Sequence, residues 1–140
     1  MRLTKILSLI LALLLPVLAG CGTDTPAETT AATTDAVEAT PIGEGQYVFP
    51  FTATFLDGSA KHYTVSTDCA TVGEALLSLG LIEGEDGPFG IYVKSVCGVV
   101  ADYDVDQTYW ALYIDGEMAM SGVDTVSTAD AGSIEFRVSK

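Results

Sequence analysis

The side chains able to do chemistry in this chain are few, and their spacing limits what that chemistry is. One histidine, three cysteines and 19 acidic residues make up the inventory. With Cys21 expected to carry a lipid, Cys69 and Cys97 remain as an even pair. In an oxidising compartment such a pair reads as a disulfide, closing a loop of roughly 28 residues and contributing about 3 kcal/mol by restricting the unfolded chain. The alternative is two buried thiols. A zinc site lacks support, because no C-x-x-C spacing exists and His62 is the one imidazole able to join the thiols. Asp102, Asp104 and Asp106 start like a calcium loop, with carboxylates at alternate positions. The loop then fails, since Gln107 occupies the glycine position and Tyr113 that of the bidentate glutamate. No nucleophile elbow, phosphate loop or oriented Cys-His arrangement is present, and carboxylate pairs are unavoidable in so acidic a chain. The expectation is a protein that binds and does not catalyse, without a metal centre or a required cofactor.

The start of the chain places the protein. Arg2 and Lys5 precede the apolar run Ile6 to Leu15, Pro16 ends it, and Leu18-Ala19-Gly20-Cys21 follows. A stretch of ten residues at about 1.5 Å each cannot span a hydrocarbon core of about 30 Å, so residues 1–20 read as a signal peptide. The four-residue box reads as a lipoprotein cleavage site. It makes Cys21 the lipid-modified N-terminus and anchors the protein on the extracytoplasmic face of the cell membrane.

Loss of residues 1–20 removes Arg2 and Lys5, leaving 4 basic residues against 19 acidic ones, and the formal charge moves from −13 to −15. A surface of that sign repels phosphate backbones and anionic head groups, which excludes nucleic acid and any membrane contact beyond the lipid. Residues 21–45 are rich in Thr, Ala and acids, lack aromatics and cannot bury enough apolar surface to offset ordering entropy. They are expected to form a disordered tether, with residues 46–140 as one domain.

Within that domain Phe49, Phe51, Ala53 and Phe55 alternate with more polar neighbours, and a second alternating run through Tyr63 and Val65 follows Asp57-Gly58. This pattern predicts a hairpin. Thr71 and Glu74 form a capping box ahead of Val72, Ala75, Leu76 and Leu79, the apolar stripe of a helix. A loop over Glu83 to Gly90, strands over Ile91 to Val96, Val99 to Ala101, Tyr109 to Ile114 and Glu117 to Met120, and a last strand over Ser133 to Val138 complete the prediction. Hairpin, helix and further strands in that order predict an α+β, β-grasp-like roll, a mixed sheet with one helix packed across it.

Phe89, Tyr92, Tyr109, Trp110, Tyr113, Met118 and Met120 crowd into one stretch. Alternation sends Trp110, Leu112 and Ile114 to one face of their strand, leaving Tyr109 and Tyr113 on the other for a ligand. The competing reading makes Trp110 a core residue and the tyrosines ordinary sheet surface. Gly87-Pro88-Phe89, Lys94-Ser95-Val96-Cys97-Gly98, Tyr109-Trp110, Ser121-Gly122-Val123 and Ser133-Ile134-Glu135-Phe136 follow in order. From about Phe51 to Val138 their order and spacing resemble the C-terminal β domain of transcobalamin and intrinsic factor and the related bacterial DUF4430 domain. The resemblance implies a β-grasp fold, a cobalamin or other corrinoid ligand, and Phe89, Tyr92, Tyr109 and Trp110 as ligand-side residues. It also implies an incomplete cavity, because the helical domain that supplies the other half in the cobalamin carriers has no counterpart here. The two resulting readings are a lipid-anchored module for a small molecule, alone or beside a membrane transporter, and a surface module for a protein or cell-wall partner.

Overall fold

The structure is a computed structural model and describes residues 37–140. The expected signal peptide, Cys21 and the expected tether up to residue 36 lie outside the described residues. The described residues form one compact unit. Nine strands occur among the described residues, in two sheets.

Strands β1 (Thr40–Gly43), β2 (Tyr47–Thr54) and β3 (Ala60–Thr67) open the domain. Helix α1 (Val72–Ser78) follows, then β4 (Ile82–Gly87), β5 (Gly90–Val96) and β6 (Val99–Val100). After the short helix α2 (Tyr103–Asp106) come β7 (Tyr109–Ile114), β8 (Glu117–Met118), two 3₁₀ turns at Val123–Thr125 and Thr128–Asp130, and β9 (Ile134–Ser139). The larger sheet runs β1-β3-β2-β9-β7-β8, and β4-β5-β6 forms a separate three-stranded sheet. The last strand returns parallel to β2, pairing Phe51 with Ile134 and Ala53 with Phe136, and antiparallel to β7.

The expected hairpins form where the turn residues stand. The β2–β3 pair holds Phe51 opposite Tyr63, and β7–β8 turns through Asp115 and Gly116 with Ile114 opposite Glu117. Thr71 Oγ1 accepts the Glu74 N–H at 3.2 Å and starts α1. The helix closes with Gly80 N–H donating to Leu77 O and Leu81 N–H to Leu76 O, the paired bonds that satisfy orphan carbonyls at a helix end. Its buried face, Val72, Ala75 and Leu76, shares one core with Phe49, Phe51, Val65, Ile134 and Phe136 from the larger sheet and Ile82, Val93 and Val96 from the smaller. Phe51 lies at the centre, stacked on Tyr63 and edge-on to Phe136 at ring separations of 6.0 and 6.4 Å.

Three expectations need correction. The single mixed sheet is two sheets, because Ile82–Gly87 is not a loop but β4. Only Ile82 of that strand is a large apolar residue, so the stretch carries no alternating signal, and its pairing with β5 rests on the backbone ladder with a bulge at Glu83 and Gly84. The tether was expected to extend through residue 45, yet Thr40–Gly43 lies parallel to β3, with Ile42 packed against the core. One apolar side chain on an edge strand is too little for a composition-based boundary to register. Finally, Cys69 and Cys97 are free thiols. Cys97 sits in the β5–β6 turn beside the Tyr63 hydroxyl in mid-β3, and burial pushes its thiol above the ordinary range. Cys69 follows the far end of β3, where the Thr128 hydroxyl donates to its carbonyl at 2.6 Å.

The outward face of the larger sheet carries a polar network. Thr52 Oγ1 meets His62 Nδ1 at 3.1 Å, Thr54 donates to Glu135 Oε1 at 2.8 Å, and Arg137 grips both Glu135 oxygens at 3.0 and 2.9 Å while lying over the Tyr113 ring. Burial works to raise the Glu135 carboxyl, but the hydrogen bonds from Arg137 and Thr54, with the charges of Arg137 and His62, outweigh it and hold the group below its usual value. A carboxylate depressed on folding stabilises the protein above its unfolded pKa of about 4.5, and that contribution is lost as pH falls through the lower folded value. Thermal melts across about pH 5 to pH 3 are therefore expected to fall less steeply for Glu135→Gln than for the unaltered chain; parallel curves would show that Glu135 carries none of the acid sensitivity.

Candidate functional site

The sheets do not meet edge to edge. Between the start of β7 and the β4–β5 turn lies a cleft of about 310 Å³. One wall is Gly87 to Val93, the floor is Tyr109 to Leu112 with Phe136, and the other wall is Met118 to Val123. All four ligand-side candidates line this one cleft although they come from three places in the fold, Phe89 from the β4–β5 turn, Tyr92 from β5, and Tyr109 and Trp110 from β7. No lining side chain is charged, so the polar contribution falls to the Tyr92, Tyr109 and Ser121 hydroxyls and to main-chain groups. An apolar concavity with a few polar groups is the usual form of a small-molecule site, and this volume is near the lower end of the range of about 300–1,000 Å³.

Their roles within the cleft differ. Trp110 is 7% exposed, lies edge-on to Phe55 at 5.8 Å and donates from Nε1 to the Val99 carbonyl at 3.1 Å. It is a core residue, as the competing sequence reading has it, and its flank forms part of the floor. Phe89 is 85% exposed at the lip, with Tyr92 also exposed beside it. Tyr109 is half-buried at the start of the floor strand. Tyr113 is absent from the cleft; it lies under Arg137 on the outward face of the sheet. Met120, 96% exposed, and Met118 form the opposite lip.

The wall-to-wall fastening has no counterpart in the sequence expectations. Asp124 Oδ1 accepts the Ile91 N–H at 2.9 Å, and Gly122 N–H donates to the Phe89 carbonyl at 3.2 Å. These bonds join the Pro88-Phe89-Gly90 turn to the segment after Met120. The approach is close enough that Gly90, at φ +107°, has no room for a Cβ, which would collide with the Asp124 carboxylate; the same carboxylate crowds Gly122. The signal for this was Ser121-Gly122-Val123 followed by an acid, but nothing in the sequence says which backbone amide that acid serves. Asp102 and Asp106, the start of the apparent calcium loop, are used locally: Asp102 caps α2 through Asp104 N–H at 3.0 Å, and Asp106 accepts from the amide and hydroxyl of Thr108. Among the described residues no group of three or more His, Cys, Asp or Glu side chains could hold a metal ion.

Asp124→Ala strands a half-buried amide and is expected to lower stability by about 1–2 kcal/mol. Gly90→Ala, strained at positive φ and colliding with the same carboxylate, should cost at least as much. Denaturant titration checks both, and midpoints unchanged from the unaltered chain would show that the clamp does not hold the cleft walls.

No curated protein matches the chain. A solved protein of Ruminococcus gnavus ATCC 29149, proposed to bind metal, shares 25% identity over 68% of this chain and 98% of its own, with a TM-score of 0.63. Haptocorrin, solved in complex with cobinamide, aligns at a TM-score of 0.53 and 18% identity over 71% of this chain, which shows likeness of fold; the chain spans 26% of haptocorrin. The domain of unknown function DUF4430 matches residues 70–140, from the residue before the α1 cap to the C-terminus. That span holds every residue lining the cleft and the clamp that fastens it, and the chain belongs to the DUF4430 family.

Proposed function

We propose that this protein is a lipid-anchored extracytoplasmic binding module, held on the membrane through Cys21, whose β-grasp domain takes one edge of a corrinoid in the cleft between β7 and the β4–β5 turn. The observation that carries the reading is the convergence of Phe89, Tyr92, Tyr109 and Trp110 on one apolar cleft. The β-grasp description is supported by the hairpin, helix and parallel return of β9 beside β2. The corrinoid is supported by the likeness of fold to haptocorrin, whose bound ligand is cobinamide.

At about 310 Å³ the cleft encloses part of such a ring and leaves the rest to solvent or to a second surface. Affinity follows how much of a ligand is enclosed and how well its polar groups are paired, so a modest intrinsic affinity fits a module that hands its ligand to a membrane transporter or neighbouring surface protein. The role is binding, with no reaction assigned to any side chain. A metal ligand, suggested by the R. gnavus neighbour, finds no converging donor set among the described residues.

Titration of residues 35–140 with cobinamide and cyanocobalamin, followed by calorimetry and by fluorescence of the single tryptophan, tests the proposal. A dissociation constant near 1 μM, about −8 kcal/mol, is expected. Phe89→Ala should weaken it at least tenfold while shifting stability by less than about 0.5 kcal/mol, since the ring is exposed at the lip. Absence of heat with an unchanged Trp110 signal, or full binding by Phe89→Ala, would overturn the corrinoid assignment.

A further inference from the structure

We propose that the open edge of β7 accepts an added strand, an extended basic segment of a partner protein that pairs with the main chain of Trp110 and Leu112. The inference goes beyond the corrinoid reading and does not rest on it.

Backbone direction carries the proposal. In an antiparallel strand successive residues aim their N–H and C=O groups to opposite sides. Asp115 N–H donates to the Ser133 carbonyl at 2.9 Å, which turns residues 115, 113, 111 and 109 toward β9. Ala119 N–H donates to the Leu112 carbonyl at 2.9 Å, which turns Leu112, and Trp110 with it, toward the opposite edge. There β8 pairs only with Tyr113 and Ile114, and the chain leaves β7 at Met120. Among the described residues no hydrogen bond reaches the Trp110 N–H, the Trp110 carbonyl or the Leu112 N–H. Three main-chain groups therefore stand unpaired along the floor of an apolar cleft.

Edges of this kind are normally covered, shortened or charged, and one lying inside an apolar groove is the arrangement by which extended peptides are captured. The added strand gains its hydrogen bonds from the main chain, and alternate side chains enter the groove between the Phe89 and Met120 lips. Charge selects the partner. Residues 37–140 carry 16 acidic side chains against four basic ones, Lys61, Lys94, Arg137 and Lys140. Two of the four are already paired, Lys94 with Glu85 at 3.1 Å and Arg137 with Glu135 at 2.9 Å. Asp86 and Glu117, exposed and without an ion-pair partner among the described residues, immediately precede the lining residues Gly87 and Met118. A basic strand gains from this surface, whereas a second copy of so acidic a chain brings like charge against it.

Calorimetry on the full chain in neutral detergent micelles tests the proposal with three nine-residue probes. One alternates lysine with valine, one alternates glutamate with valine, and the third is the lysine peptide N-methylated at every internal amide. The lysine peptide is expected to bind in the micromolar range, with the other two at least tenfold weaker. Hydrogen exchange of the complex should slow the Trp110 and Leu112 amides at least tenfold and leave Ala111, already paired with β9, unchanged. Equal binding of the two charged peptides, undiminished binding of the N-methylated one, no heat up to about 1 mM, or protection that spares Trp110 and Leu112 would each overturn the proposal. Because the probes contain no corrinoid, this outcome is read separately from the cobinamide titration.

Discussion

The Asp124 carboxylate is the contact on which the cleft depends. It accepts the Ile91 amide at 2.9 Å and occupies the space that side chains at Gly90 and Gly122 would fill. Without that approach the β4–β5 turn has little to fix it: β4 buries one large side chain, and Phe89 at its tip is almost wholly exposed. The core holds the larger sheet and α1 in place by apolar burial, but it does not reach the lip. A polar contact therefore sets the distance between the cleft walls, and two glycines make it sterically feasible.

This division explains which parts were legible in the sequence. The β2–β3 hairpin, the Thr71-capped helix and β9 were readable because each carries a local signal, alternating apolar residues, a capping side chain or a turn pair, that coincides with its burial. The aromatic residues were readable as a set through their ordered motifs, although no local pattern brings Phe89 of the β4–β5 turn to Tyr109 of the floor. Where structure depends on backbone pairing or on one long-range carboxylate, the sequence was silent. Strands β1 and β4 have almost no apolar face, and Asp124 looks like any other acid in a chain with 19 of them. The cysteines misled for a related reason. An even count suggests pairing, whereas Cys97 is placed by its turn beside Tyr63 and Cys69 by Thr128 at the other end of β3.

Charge is kept out of the cleft. Acidic residues line the β4–β5 hairpin, α2 and the hairpin turns, while the cleft has no charged lining side chain. Such a surface repels anionic partners and leaves the cleft as a concave apolar feature that a ligand can enter. The outward sheet face, with Glu135 gripped by Arg137 and Thr54, is satisfied within itself and offers little to a ligand.

The most direct test of the account is the position of a bound corrinoid, read from the anomalous scattering of its cobalt in crystals of residues 35–140 grown with cobinamide. The account places the cobalt at the mouth of the cleft, between the Phe89–Tyr92 lip and Met118–Met120, with the ring edge against Tyr109. A cobalt site elsewhere on the surface, or crystals that take up no cobalt, would contradict it.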